Sequence, residues 1–275
     1  MKFSLVLLTA IVSSHINANP HKLEAEGVYT ANSTVSHAPP RSTHALIESD
    51  GDLWAADFQY TQEAASNHII TGEIDPKTGE GIALDYVVDP ALPLTVKTTI
   101  THDTARFLLT QYVGGVSQPI NYYNAPGPFP PFRPGPFDFD LVQLPRTKLQ
   151  LKTGSYTIAT PYFAITFDND KFTGYNGNCP FTGKVKAGEN RHYKRVTLAY
   201  TNACYLSPPI PPGASSTPAQ VPVLKNSKLE GVVFASKRSY NLSNGQLGEA
   251  DVIVMIMRPK AGQYNLGFSK MFNRQ

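Results

Sequence analysis

The clearest hydrophobic pattern in the chain lies in two runs, residues 178–185 (NCPFTGKV) and 193–200 (YKRVTLAY), where apolar side chains recur mostly at every second position. A polar stretch around Gly188 separates them. Alternation with period two on both sides of a short loop that contains glycine is typical of a β-hairpin. We therefore predict a hairpin here, with Cys179 and Cys204 at its open end.

Similar short runs occupy most of the remaining chain. Residues 45–54 form two apolar runs around an Asp-Gly turn, the pattern of a tight hairpin. Residues 252–257 (VIVMIM) are apolar at every position, which predicts a strand that is buried on both faces or has a very short solvent face. Almost no segment shows the spacing of an amphipathic helix. The pattern predicts an all-β protein.

The two halves of the chain repeat short motifs in the same order. Residues 27–30 (GVYT) recur as 154–157 (GSYT), and residues 70–74 (ITGEI) recur as 181–185 (FTGKV). Repetition of this kind is the mark of a duplicated structural unit. We predict two related antiparallel β-meander units, each a small barrel or sandwich.

The first eighteen residues fit a secretory signal peptide. Lys2 supplies the positive start, residues 5–12 are the apolar run, and Ala18 is a small residue at the expected cleavage site. We expect cleavage after Ala18 and a secreted or periplasmic protein. Export permits disulfides, and two cysteines allow one pairing, Cys179 with Cys204. The alternative is a reactive or zinc-binding thiol pair, which would need two further ligands beyond what the nearby sequence offers.

Prolines divide the chain. Residues 119–147 are rich in proline and phenylalanine and lie between the repeats, and a second proline-rich stretch interrupts the second unit at 207–222. Proline lacks the donor that a central strand needs. We predict a signal peptide at 1–18, an N-terminal β unit at 19–118, a linker at 119–147 and a C-terminal β unit at 148–275.

Charge argues against nucleic acid as a partner, and the length of the apolar runs argues against a membrane-spanning helix. The formal net charge is +3, and Lys and Arg are scattered singly rather than clustered, unlike the basic face of a nucleic-acid binder. After the first eighteen residues no stretch approaches twenty apolar positions, so we expect no membrane-spanning helix. The expected partner is a protein or an apolar small molecule.

The predicted linker carries the candidate contact residues. Phe129, Phe132 and Phe137 lie among its prolines. They are possible contacts for a partner. The favoured alternative is that the rings pack across the two units and fix the angle between them, because apolar rings on a fully solvated linker would be costly.

Catalytic signatures are absent from the sequence: it contains no Gly-x-Ser-x-Gly elbow, no His-Glu-x-x-His, no phosphate loop and no dinucleotide fingerprint. We predict a protein that is not an enzyme and has no cofactor. Asp138, Asp140 and His102 remain as candidates for a hydrolase with an unrecognised site. The two aspartates follow the prolines and are expected at a solvated strand edge.

The second half resembles a group of uncharacterised exported bacterial all-β proteins. The resemblance rests on Gly154-Ser155-Tyr156, the acidic turn at 168–170, the run at 178–185, and Cys204 after the next strand. It covers roughly residues 153–260 and implies an exported β module with a hairpin disulfide, without catalytic residues to transfer.

These observations lead to one expected function and two alternatives. We expect an exported, non-enzymatic binding or interaction protein. A barrel lined by Phe, Tyr and Met would instead suit a carrier of an apolar ligand or of haem, as in lipocalin-like barrels, with any one histidine as the axial ligand. The hydrolase is the second alternative.

Overall fold

The computed structural model describes residues 26–33, 41–59, 66–75, 80–85, 94–101, 104–113, 116–119, 138–144, 149–157, 163–186, 192–206, 220–241, 247–259 and 267–273. Every helix-or-strand element within them is a β-strand. This confirms the predicted all-β class. The predicted signal peptide at 1–18 lies outside the described residues.

The first half of the chain forms one antiparallel sheet. Its strands are β1 (Gly27–Ser33), β2 (Arg41–Ile47), β3 (Asp52–Gln59), β4 (Ser66–Ile74), β5 (Glu80–Asp85), β6 (Leu94–Thr101), β7 (Thr104–Val113), β8 (Val116–Pro119) and β9 (Asp138–Gln143). Their order is β6-β5-β4-β3-β2-β1-β9-β7-β8, and β6 also pairs with β7. All but β8 therefore form a closed ring, the first barrel.

The second half forms a sheet of the same kind. Its strands are β10 (Gly154–Thr157), β11 (Phe163–Asp168), β12 (Lys171–Asn176), β13 (Cys179–Val185), β14 (Tyr193–Tyr200), β17 (Lys228–Asn241), β18 (Leu247–Pro259) and β19 (Phe268–Asn273). Their order is β10-β11-β12-β13-β14-β17-β18-β19, without backbone pairing between β10 and β19 among the described residues. This second barrel is nearly closed. A separate ribbon joins β15 (Cys204–Leu206) to β16 (Val221–Val223).

The two barrels run through their strands in the same order. The repeated motif at 27–30 opens β1 and its counterpart at 154–157 forms β10, while 70–74 ends β4 and 181–185 ends β13. Each half then continues as a meander and closes with a strand beside its first one. This confirms the two related meander units and the hairpin of β13 and β14, which pair with Phe181 opposite Tyr200.

Strand β9 corrects part of the linker prediction. It lies within residues 119–147 but pairs with β1 on one side and β7 on the other. Residues 138–143 contain no proline, so every backbone N–H is available for a sheet. Asp138 and Asp140 lie opposite Leu108 and Arg106 of β7, whereas β1 pairs only with Val142 and Gln143 of β9. The placement of the two aspartates at a solvated strand edge stays a prediction.

Aromatic rings fill the interior of the second barrel. Ring pairs lie 5.5–6.4 Å apart between centroids, and the rings come from Tyr156, Phe163, Phe167, Phe172, Phe181, Tyr200, Phe268 and Phe272. Two glycines make room for them. Gly174 lies opposite Phe181 and Gly183 opposite Phe172 across β12 and β13, and a Cβ on either glycine would collide with the ring. In each pair, the phenylalanine ring packs over the backbone of the glycine opposite it, which has no side chain to cover it.

The outer walls of the two barrels pack against each other at a second apolar cluster, the junction. It joins residues of β1–β4 to residues of β14 and β17–β19: Val28, Leu46, Trp54, Ala56, Phe58 and Ile69 with Tyr193, Val232, Phe234, Val252, Val254, Ile256 and Met271. Along β18, Ile253, Met255 and Met257 face the barrel interior while Val252, Val254 and Ile256 face the junction. This confirms the prediction that residues 252–257 are buried on both faces.

Candidate interaction site

The predicted disulfide is present. Cys179 at the start of β13 is bonded to Cys204 at the start of β15, with their Cα atoms 5.5 Å apart. Cys179 is fully buried. Both sulfurs are used in this bond, so the alternative of a zinc-binding thiol pair is wrong. The bond ties the ribbon of β15 and β16 to the end of the second barrel.

The ribbon has one buried and one exposed face. Leu206 and Val223 belong to the interior cluster of the second barrel, so this face closes the barrel end. Alternation along the strands directs the intervening side chains outward. Tyr205 is 63% exposed and Leu224, just beyond β16, is 64% exposed. Two large apolar side chains are therefore held in water by a ribbon that core packing and a disulfide fix in place.

The strand order places the ribbon and the turn at 177–178 at the same end of the second barrel, which we call the ribbon end. The described residues of these connections, 177–178, 201–206 and 220–227, contain no Asp or Glu. Exposed Lys225 lies within them, and exposed Lys228 begins β17. The connections at the opposite end contain both signs, including Asp170 and Lys186. The ribbon end therefore combines exposed apolar side chains with charge of one sign.

A polar network crosses the junction at Glu48, which follows β2 and is buried. Its Oε1 accepts a hydrogen bond of 2.8 Å from Nε1 of Trp54, and its Oε2 accepts one of 2.9 Å from Nε of Arg195 on β14. Nη2 of Arg195 also donates to Oδ2 of Asp50 at 2.9 Å and to Oδ2 of Asp52 at 2.8 Å. One guanidinium from the second barrel thus holds three carboxylates of the first.

Electrostatics within this network follow from burial and crowding. Partial burial and the neighbouring carboxylate of Asp50 raise the pKa of Asp52. Burial and a hydrogen bond to Glu48 raise the pKa of Tyr193 well above its ordinary value. Each of the three carboxylates, Glu48, Asp50 and Asp52, accepts a hydrogen bond from Arg195.

A second polar contact lies beside the first. The guanidinium of Arg258 on β18 lies 4.6 Å from the centroid of the Trp54 ring, and its Nη2 donates to Oε1 of Glu230 at 3.1 Å. Its Nη1 lies 3.5 Å from Oγ1 of Thr71 on β4. A cation over an indole face adds attraction to the apolar packing. Trp54 is thereby clamped between groups of both barrels.

His44 on β2 is fully buried at the same junction. Its Nδ1 lies 2.8 Å from Oγ of Ser236 on β17, and its Nε2 lies 3.0 Å from Oγ of Ser42. Burial, with a smaller contribution from the charge of Arg238, lowers the pKa of His44 to about 3. The imidazole is therefore neutral at ordinary pH and acts as a polar link between the barrels.

The remaining candidate residues are less informative. Phe129, Phe132, Phe137 and His102 lie outside the described residues. Asp138 and Asp140 are described as part of β9, where the backbone of Asp140 lies opposite that of Arg106 in β7. The partner-contact and hydrolase assignments of these residues stay predictions. Across the described ranges, no group of three or more His, Cys, Asp or Glu is arranged to hold a metal ion.

Sequence reasoning missed Arg195, Glu48 and the ribbon. The sequence pattern predicts a turn around the acidic residues at 48–52 and an alternating strand around Arg195, and neither predicts a contact between them. One pattern in the sequence does indicate a packed second layer near Glu48. Residues 45–47 (ALI) are apolar at consecutive positions, as residues 252–257 are, and such a run indicates a strand with two buried faces. The ribbon contains Pro222, which argues against a strand except at an edge.

Within the described residues, no helix has the length and apolar character needed to cross a membrane. Comparison of the chain with protein-family models, with curated proteins and with solved structures found no match. The resemblance of the second half to exported all-β proteins therefore stays a prediction.

Proposed function

We propose that this chain is an exported, non-enzymatic binding protein that engages a protein partner through the ribbon end of its second barrel. The observation that carries the proposal is the exposure of Tyr205 and Leu224 on a ribbon whose other face is buried in the core. Solvated apolar side chains of this size on a fixed support are typical of contact surfaces.

Fixed geometry favours binding. The Cys179–Cys204 bond and the buried faces of Leu206 and Val223 order the ribbon before any partner arrives. A surface that is already ordered loses less conformational entropy on association than a flexible one. Tyrosine is also enriched at protein interfaces, since its ring is large and its hydroxyl can bond a partner. The disulfide is compatible with an oxidising, extracytoplasmic location.

The positive charge of the ribbon end indicates what kind of partner surface would fit it. Among the described residues, the connections at the ribbon end contain Lys225 and no carboxylate, and Lys228 follows at the start of β17. A complementary protein surface would place Asp or Glu around an apolar centre. Anionic membranes are the other acidic surface, but their recognition uses clusters of about four to eight basic residues, and the described part of this end offers two, Lys225 and Lys228. An acidic protein surface is the better match.

Packing of the second barrel disfavours the alternative of a carrier. Aromatic rings in mutual contact occupy its described interior, and lipocalin-like carriers keep that space for the ligand. A carrier role would therefore have to use the first barrel. No observation on the described residues favours the hydrolase over the binding protein.

Site-specific photo-crosslinking tests the proposal. The full chain is produced in its source cells with the variant Tyr205→p-benzoyl-phenylalanine and irradiated. The matched control carries the same group in place of Tyr240, which is 37% exposed at the opposite end of the second barrel. We expect one discrete protein adduct from position 205 and none from position 240.

Charge reversal completes the test. The pair K225E/K228E should remove the adduct at position 205, because it would repel an acidic partner surface. Equal adducts from both positions, an adduct to lipid instead of protein, or an adduct that survives the charge reversal would each overturn the proposal. Native mass spectrometry of the purified chain separates these results from the carrier, which predicts excess mass that is lost on denaturation.

A further inference from the structure

One lysine faces the aromatic interior of the second barrel. Lys270 on β19 lies directly across from Met255 of β18, and Met255 belongs to the interior cluster. Its neighbours on the same face, Phe268 and Phe272, belong to that cluster as well. The ammonium nitrogen lies 5.1 Å from the centroid of the Phe163 ring. Charged side chains in such surroundings are uncommon, because removing them from water is costly.

The position of Lys270 makes it reachable. Strand β19 is the last strand of the sheet, and its outer edge faces β10 without backbone pairing among the described residues. Across this seam the rings of Tyr156 and Phe272 lie 6.0 Å apart between centroids. Lys270 is itself only partly buried, unlike the fully buried aromatic side chains around it. A small molecule at the seam would therefore meet aromatic rings and an amine together.

We propose that Lys270 is a covalent modification site for apolar and aromatic aldehydes, which the rings at the seam would hold against its amine. The inference does not rest on the proposed function, which concerns the ribbon end. The lone pair of Nζ attacks the carbonyl carbon, and a proton passes from nitrogen to the carbonyl oxygen to give a carbinolamine. The hydroxyl then takes up a proton from solvent and leaves as water, while nitrogen forms the C=N bond and releases its remaining proton to solvent, without any change in oxidation state.

Burial supports this chemistry. It lowers the pKa of Lys270 to about 8. The neutral amine is the nucleophilic form, and an ordinary lysine with a pKa near 10.4 holds well under about 1% of it at neutral pH. Desolvation in apolar surroundings is one of the recognised ways of activating a lysine toward carbonyl groups.

Reductive trapping tests the proposal on the unmodified protein. The folded chain is incubated with cinnamaldehyde and cyanoborohydride near neutral pH, digested, and quantified by peptide mass spectrometry. The internal control is Lys171 on β12, an exposed lysine of the same barrel. We expect the adduct at Lys270 to form at least about tenfold faster than at Lys171, because burial keeps more of the Lys270 amine in its neutral form than an ordinary lysine has.

Two controls separate a site from general reactivity. In concentrated urea the two lysines should react at equal rates, since the barrel no longer sets their surroundings. Glyoxylate, a small charged aldehyde, should not show the preference for Lys270 over Lys171. Reaction of folded Lys270 at or below the rate of Lys171 would overturn the site, and equal preference for glyoxylate would overturn its assignment to apolar aldehydes.

Discussion

Nε of Arg195 donates a hydrogen bond of 2.9 Å to Oε2 of Glu48, although 147 residues separate the two in the sequence. The other oxygen of Glu48 accepts from Nε1 of Trp54 in the first barrel. A buried carboxylate is thus satisfied from both sides of the junction. Removing either donor would leave part of a buried charge without a partner, which costs more than the pair itself contributes.

Loss of the arginine should therefore destabilise the whole molecule. We expect Arg195→Met to lower the free energy of unfolding by about 2–4 kcal/mol, less than for a fully buried pair, because the Arg195 side chain is 39% exposed and water can reach the site. Urea denaturation followed by fluorescence measures the effect. Trp54 is the only tryptophan and reports on the junction directly.

The pair of Lys237 and Glu249 provides the matched control. Nζ of Lys237 lies 3.2 Å from Oε2 of Glu249, but the two side chains are 46% and 64% exposed. Lys237→Met should cost no more than about 0.5 kcal/mol. Equal costs for the two substitutions would show that the Arg195 network contributes no more than a surface ion pair.

His44 should make the junction sensitive to acid. Burial lowers the pKa of His44 from 6.5 to about 3. Between these two pH values the imidazole is protonated in the unfolded chain and neutral in the folded chain. The stabilising effect of the neutral ring is complete above pH 6.5 and is lost as pH falls toward 3. Within that window this group lowers the free energy of unfolding by up to about 1.4 kcal/mol per pH unit.

The variant His44→Gln isolates this contribution from that of the carboxylates. Urea denaturation at pH 7, 5 and 4 should show a shallower loss of stability for the variant than for the wild type. Glutamine can bond the hydroxyls of Ser42 and Ser236 but does not titrate. Parallel curves for the two proteins would rule out His44 as the source of acid sensitivity.

The sequence predicted the local parts of this structure well. Alternation located the hairpin of β13 and β14, and the count of two cysteines together with the expected export located the disulfide. The order of repeated motifs predicted two related units. Each of these depends on residues close in sequence, or on pairings with no competitor, so the pattern alone was sufficient.

Long-range contacts were not predictable in the same way. Nothing near Glu48 indicates that its partner is Arg195 on the other barrel, and nothing near Tyr205 indicates that its strand caps a barrel end. Such contacts form only when two folded sheets pack together, so the local sequence pattern does not indicate which residues will meet. Strand β9 was not predicted for a different reason: the prolines before it dominated the prediction for residues 119–147, although residues 138–143 contain no proline and form a strand.

The disulfide should stabilise the ribbon more than the barrel. We expect C179A/C204A to lower the free energy of unfolding by about 3 kcal/mol, since the bond closes a loop across a sequence separation of 25. Hydrogen exchange should show the largest loss of protection in β15 and β16, whose inward face would no longer be tied to β13. A uniform loss across the second barrel would contradict this assignment.

The pairing of glycine with phenylalanine across β12 and β13 should not tolerate a methyl group. A Cβ on Gly183 would collide with the ring of Phe172, so Gly183→Ala should cost about 1–3 kcal/mol through overpacking. In the double variant F172A/G183A the collision is absent, and the second substitution should add far less than it does alone. Simple additivity in urea denaturation would show that the ring and the glycine are independent.

Two isoleucines on β18 test whether the strand separates the interior from the junction. Ile253 belongs to the interior cluster of the second barrel, whereas Ile256 belongs to the junction cluster with Trp54. Both are fully buried, so Ile253→Ala and Ile256→Ala should each cost about 2–5 kcal/mol. Stability alone therefore does not distinguish the two faces.

Fluorescence of the folded state does distinguish them. A cavity at position 256 loosens the packing of the cluster that holds Trp54, so Ile256→Ala should shift the emission of the native protein to longer wavelength. Ile253→Ala opens its cavity on the other side of the sheet, and the native emission should match that of the wild type. If the interior variant shifts the emission as much as the junction variant, then the sheet does not keep the two clusters apart, and the barrels share one core.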